Sequence, residues 1–177
     1  MQLREVKWGK PEYHDFKQLY LTAFPGWERF PVIALTMMAW HKNVHYMALY
    51  DQNKFCGLAY YVEGETVIYL TYLAINDQLR GQGYGTKILT FLKNEFASKE
   101  IILDIEPVVA EAENYQQRLS RLRFYERNGF KQTQYDLVEK RGHTQVMSTS
   151  SEFDPVIMTR ILRQMSFGLY RFTVEHR

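Results

Sequence analysis

The run Arg80-Gly81-Gln82-Gly83-Tyr84-Gly85-Thr86 is where this chain could do chemistry. Three glycines alternate there, after an apolar stretch and before a segment with helical periodicity. Glycine admits positive φ angles and lets a ligand come close to the main chain. At the start of a helix the backbone N–H groups point outward, and the helix dipole adds partial positive charge. Arg80 adds a full one. Such a loop suits an anion, a pyrophosphate above all.

Several phosphate-binding loops share this physics, so spacing must discriminate among them. A P-loop needs Gly, four residues, then Gly-Lys-Ser/Thr; here Lys87 follows Thr86, and the match fails. A dinucleotide fingerprint needs a small third residue where Thr86 stands and a strand near the chain start, and this sheet reads as antiparallel. A kinase glycine loop lies between two antiparallel strands, whereas this one opens a helix.

The elements that must position the loop can be read from periodicity. Leu3 to Trp8 is a first strand, and Pro11 opens a helix through Tyr13, Phe16, Leu19, Tyr20 and Phe24. Pro25-Gly26 breaks it, and a second helical stretch covers Pro31 to Trp40. Val44–Tyr50, Phe55–Val62 and Val67–Ile75 are three strands of an antiparallel meander. The third is apolar almost throughout, as expected of a strand covered on both faces.

After the glycine loop, Tyr84, Ile88, Leu89, Leu92 and Phe96 form the apolar stripe of a helix, with Lys87, Lys93, Asn94 and Glu95 on its wet face. Ile101–Ile105 is a short strand, so strand, helix and strand imply a parallel pair. An acidic connector leads to a helix over Tyr115–Asn128, stopped by Gly129. Phe130–Val138 and Thr144–Thr149 form a hairpin through Lys140-Arg141-Gly142. A last helix is capped by Asp154, opened by Pro155 and ended by Gly168.

The pattern that remains for the loop is Arg/Gln-x-x-Gly-x-Gly/Ala, filled by Arg80, Gly83 and Gly85. The segment from Tyr72-Leu73-Ala74-Ile75-Asn76 through to Ile88-Leu89 resembles the acetyl-CoA-binding core of the GNAT superfamily of N-acetyltransferases. Arg123-Phe124-Tyr125-Glu126-Arg127-Asn128-Gly129-Phe130 resembles that family's second conserved block. The likeness is clearest from Val44 to Phe130.

The resemblance implies an α/β (α+β) fold: a central, mixed, mostly antiparallel sheet flanked by helices, with a splayed parallel strand pair that leaves a slot for a thioester. Length and composition suit one domain over residues 1–177; the element order fits the family over a core of about 1–149, and residues 150–177 are a C-terminal helical extension whose role the resemblance does not set. The resemblance also implies transfer of an acetyl group from acetyl-CoA to a primary amine by direct attack. The cosubstrate's pantetheine arm is expected along Leu73, Ala74 and Ile75. The diphosphate is expected on Arg80, Gly81, Gln82, Gly83, Tyr84, Gly85 and Thr86. Asn114 is either a further contact or a helix cap.

Tyr125 is the expected donor to the departing thiolate, and its alternative is a core aromatic. Glu106 is the expected proton acceptor, directly or through water; it could equally hold a cationic substrate or be a surface residue. The central strand carries Thr71 and Tyr72 where the family often has a carboxylate, which leaves a water-relayed base or Tyr72 open. Phe24, Trp27 and Phe30, with the Glu139–Gly142 hairpin tip, are expected on the acceptor side, where Glu111 and Glu113 could draw a cation. The competing readings are a non-catalytic module that binds or senses acyl-CoA, and a nucleotide-phosphate enzyme.

Composition bounds the rest. The chain has 177 residues, a net charge of +2 and mixed charges with no like-charge block, so neither nucleic acid nor membrane is an expected partner. Its single cysteine, Cys56, excludes an intrachain disulfide and reads as a small buried hydrophobe. The histidines are scattered, and no metal site is read. A soluble, cytoplasmic enzyme acting on a small-molecule or peptide amine is the default expectation, with a homodimer left open.

Overall fold

The computed structural model describes residues 2–139, 142–166 and 172–177, and the chain divides into two compact units. The first comprises residues 1–63 and 70–92, the second 64–69 and 93–177.

The first unit holds β1 (Gln2–Glu5), α1 (Pro11–Ala23), α2 (Val32–Met38), β2 (Val44–Asp51), β3 (Lys54–Glu63), most of β4 (Val67–Ile75) and the start of α3 (Tyr84–Glu95). Its strands run in the order β1-β2-β3-β4. β2 and β3 are antiparallel, with Tyr46 opposite Tyr60. They are joined by a tight turn in which Gln52 and Asn53 both have positive φ, the backbone that matches strand twist in a two-residue hairpin. Phe16, Tyr20 and Leu35 of the helices and Leu49 and Leu58 of the strands are fully or almost fully buried. β4 is continuously buried from Val67 to Leu70. From Thr71 on it alternates, with Thr71, Leu73 and Ile75 half-buried, so one face of its second half is more open than its apolar composition predicts.

The second unit holds the start of β4, β5 (Glu100–Ile105), α4 (Tyr115–Arg127), β6 (Lys131–Glu139), β7 (Gly142–Ser148), α5 (Pro155–Met165) and β8 (Thr173–His176). Its strand order is β4-β5-β7-β6-β8. β4 and β5 pair in parallel over Val67–Tyr69 and Glu100–Ile102, and the pairs β5/β7, β7/β6 and β6/β8 are antiparallel. The mixed, mostly antiparallel sheet with one parallel pair and flanking helices is the architecture expected.

The tail differs from expectation. α5 forms as predicted: Asp154 Oδ1 accepts from the Val156 N–H at 2.8 Å, and Met158, Ile161, Leu162 and Met165 are buried. Beyond it β8 adds a sheet strand that periodicity did not reveal, because four residues are too few for alternation to register. The predicted stop at Gly168 and the predicted turn at Lys140-Arg141 lie outside the described residues.

Lys93 also departs from the wet face assigned to it. It is half-buried, donates to the Asn128 carbonyl at the end of α4, and lies 5.3 Å from the Phe130 ring centroid. A cation there meets the negative end of a helix dipole. Among the described residues, no helix is long and apolar enough to cross a membrane.

Candidate active site

The glycine loop begins with a 3-10 turn over Asp77–Leu79, held by Asn76 Oδ1, which accepts from the Gln78 N–H at 3.2 Å. Leu79 is buried and anchors the loop. Gly81 and Gly83 have φ of +74° and +78°, and a Cβ at either would meet nothing within 4 Å. Their requirement for glycine is therefore conformational, with open space beyond. The Gly83 carbonyl accepts from the Lys87 N–H at 3.0 Å, which starts α3. Among the described residues, the N–H groups of Gly83, Tyr84, Gly85 and Thr86 have no protein acceptor. Gly83 and Thr86 are exposed, and Tyr84 and Gly85 half-buried. Arg80 is exposed and paired with Asp77 at 2.7 Å. A surface pair of this kind is weak enough for an anion to compete with it.

Upstream of the loop, Leu73 and Ile75 are half-buried and Ala74 is buried. Gly57 in β3 was not singled out from sequence, yet a Cβ there would stand 2.3 Å from the Ala74 carbonyl oxygen. The Asn76 N–H donates to the Cys56 carbonyl at 2.9 Å beside it. Gly57 thus sets how closely β3 supports the stretch of β4 expected to meet pantetheine. A glycine inside a strand was the available signal. Cys56 itself is buried, and burial pushes its thiol up, as for an unreactive cysteine.

A polar cluster in the second unit holds the expected catalytic side chains. Tyr125, on α4, is half-buried, and its ring packs against Phe124 and Phe130 at 5.1 and 5.5 Å. Burial pushes its hydroxyl up to about 12; the Arg121 charge opposes this and the Asp104 charge adds to it. The α4 terminus that carries it is closed by Gly129 at φ +79°, where the Phe130 N–H donates to the Tyr125 carbonyl at 3.0 Å.

Glu106 is 6% exposed and fully engaged. Arg118 reaches Oε1 at 3.0 Å, Arg121 reaches Oε2 at 2.9 Å, and Asn114 Nδ2 lies 3.3 Å from Oε1. Asn114 Oδ1 accepts from Arg118 Nε at 2.6 Å, so both ends of this amide are occupied, and it makes no side-chain cap to α4.

The carboxylate that sequence reasoning missed is Asp104, next to the C-terminal residue of β5. It is half-buried, and the Tyr69 hydroxyl donates to it at 2.5 Å. Burial raises its proton affinity, against hydrogen bonds from Tyr69 and Thr144. An acid inside an otherwise apolar strand was the signal, overlooked because the stretch was read as core.

The acceptor-side aromatics divide. Phe30 is buried, Phe24 packs against Tyr72 at 4.9 Å, and Trp27 is 52% exposed. Glu111 and Glu113 are exposed. Tyr72, considered as a base, has its hydroxyl engaged with the main chain of residues 28 and 30.

Residues 42–132, just over half of the chain, match the acetyltransferase (GNAT) domain family. The chain belongs to the GNAT acetyltransferases. The matched stretch runs from the residues before β2 to the first residues of β6 and includes the glycine loop, Asp104, Glu106 and Tyr125. YjbC of Bacillus subtilis (strain 168), a provisionally named acetyltransferase, is 36% identical over 74 residues, 42% of this chain and 36% of that protein. The match thus spans little more than a third of the curated relative's length.

Among solved structures, a provisionally named GNAT acetyltransferase from Bacteroides thetaiotaomicron superposes with a TM-score of 0.76 at 22% identity, covering 96% of this GNAT chain and 97% of that one. An aminoglycoside 6'-N-acetyltransferase complexed with coenzyme A superposes with a TM-score of 0.63 at 18% identity, covering 87% and 100%. At these identities the superpositions establish the fold.

Proposed function

We propose that this GNAT chain transfers an acetyl group from acetyl-CoA to a primary amine by direct attack. The observation that carries the reading is the glycine loop: two glycines at positive φ with open space over them, and four successive N–H groups at the start of α3 that have no acceptor among the described residues. That arrangement fits a diphosphate, with Arg80 turning from Asp77 to meet it. The half-buried face of β4 at Leu73 and Ile75 supports main-chain pairing with pantetheine there.

In the transfer, the amine nitrogen forms a bond to the thioester carbonyl carbon, the carbon–sulfur bond breaks, and the nitrogen loses a proton. A primary amine has a pKa near ~10, so only about one molecule in a thousand is neutral at pH 7, a barrier of roughly 4 kcal/mol. Asp104 is the proton acceptor in this reading, because burial makes its carboxylate more basic. Both Glu106 oxygens are held by guanidiniums, so an incoming amine meets no free carboxylate oxygen there. Glu106 instead orders Arg118, Arg121 and Asn114.

Tyr125 donates a hydrogen bond to the departing sulfur. With its pKa pushed up to about 12 it holds its proton at neutral pH. A thiol has a pKa near ~8.5, so complete transfer from this tyrosine is uphill and the hydrogen bond itself is the contribution.

The test is a panel of primary amines, both small molecules and peptides, incubated with acetyl-CoA while free thiol is followed. Amine-dependent thiol release and an acetylated product are expected. Tight acetyl-CoA binding with no release above background from any amine would leave a binding module instead.

A further inference from the structure

Within the first unit, Tyr20, Tyr72, Tyr60 and Tyr46 meet edge-on in that order, from α1 through β4 and β3 to β2, and the hydroxyls of the first three reach main-chain carbonyls on the helical side. Tyr20 donates to the Phe30 carbonyl at 3.1 Å, Tyr60 to the Leu35 carbonyl at 3.1 Å, and Tyr72 to the Glu28 carbonyl at 2.9 Å. The Phe30 N–H also points at the Tyr72 oxygen, at 3.4 Å. Tyr72 is the member of this set that lies on β4, one residue before Leu73, and its hydroxyl both donates to and accepts from the segment between α1 and α2.

Its ring is fixed edge-on to Tyr20 at 5.0 Å and to Phe24 at 4.9 Å, and it is buried. Arg29 Nη1 closes the segment from the other side, donating to the Leu21 carbonyl at 2.8 Å. Trp27, at the middle of the segment, remains 52% exposed. The outcome is a short loop whose main chain is held to the cosubstrate strand while its central aromatic faces outward.

We infer that Tyr72 is a positioning residue for the acceptor: its hydroxyl ties residues 28–30 to β4, so that the loop carrying Trp27 holds the amine substrate in a set geometry. The inference rests on the acetyl-transfer reading for what the loop meets, but the tie itself does not. A buried hydrogen bond to main chain costs more to break than an exposed one, because the partner is left without water. A loop ordered before the amine arrives spares acceptor binding the cost of ordering it, which gives such a tie its value.

The test compares Tyr72→Phe with Tyr60→Phe. Both remove one buried hydroxyl and keep the ring, but the Tyr60 bond goes to α2 at Leu35 rather than to residues 28–30. In Tyr72→Phe, hydrogen exchange of the amides of residues 26–31 should quicken by roughly tenfold. The KM for the acceptor, with spermidine, kanamycin and an alanyl peptide as probes, should rise by about tenfold. Its kcat and its acetyl-CoA affinity should stay within about twofold of wild type.

Tyr60→Phe should lower Tm comparably and leave both the exchange and the acceptor KM alone. Unchanged exchange in Tyr72→Phe, or equal quickening in Tyr60→Phe, overturns the tie. Quickened exchange with an unchanged acceptor KM overturns the role in acceptor placement. If wild type turns over none of the three amines, the acetyl-transfer reading has failed for these classes, and the exchange comparison still decides the tie.

Discussion

At Asp104, stability and proton transfer make opposite demands. Its folded-state pKa is raised by burial, above the unfolded value of about 3.9. The folded protein therefore holds this proton over a pH range in which the unfolded chain has lost it. The resulting stability is fully present below the unfolded value and is lost as pH rises through the raised folded value. At neutral pH the ionised group is a cost.

Asp104→Asn removes that cost and can still accept from Tyr69, so Tm at pH 7.5 should be unchanged or higher, while kcat for thiol release falls roughly a hundredfold. The acidic limb of the kcat/KM profile should lie above the ordinary carboxylate range in wild type and disappear in the variant. A variant that is much less stable at pH 7.5, or fully active, would remove Asp104 from the mechanism. Tyr125→Phe keeps the packing against Phe124 and Phe130 and removes the donor. Its kcat should drop about 10–100-fold with acetyl-CoA affinity unchanged, as measured by steady-state kinetics and calorimetry.

At the level of elements, β4 depends on what β3 leaves out. Gly57 has no side chain where the Ala74 carbonyl approaches, and Gly57→Ala would force the two backbones apart, since a Cβ at 2.3 Å from a main-chain oxygen has no rotamer that relieves it. Overpacking of this kind costs about 2 kcal/mol, which for a chain of this size lowers Tm by roughly 4–8 °C. Because the displaced atom belongs to Ala74, acetyl-CoA affinity should fall together with Tm, and calorimetry on the folded variant separates the two effects. Retained affinity would mean that the Ala74 main chain does not meet pantetheine.

For the whole molecule, a ligand that binds only the folded state stabilises it by mass action. Acetyl-CoA at a hundred times its Kd adds about 2.7 kcal/mol, a rise in Tm of roughly 5–10 °C by thermal-shift measurement. Gly83→Val should abolish the rise, because valine at φ +78° is strained and its branches cover the amides of the loop. A variant that kept the full shift would move the diphosphate elsewhere.

Local pattern was enough for much of this protein. The glycine loop, the α5 cap at Asp154 and the Gly129 stop each rest on neighbouring residues, whose backbone preferences are written into their types, and the parallel pair of β4 and β5 follows from the order strand, helix, strand. What lay beyond the sequence depends on residues far apart in the chain. Glu106 read as an available carboxylate until Arg118 and Arg121 were found on its oxygens. Asp104 passed unnoticed in a strand read as apolar until Tyr69, 35 residues away, supplied its hydrogen bond. Gly57 was one glycine among ten until Ala74 lay against it. Burial and partnership decide what an ionisable group can do, and both arise only when distant segments pack.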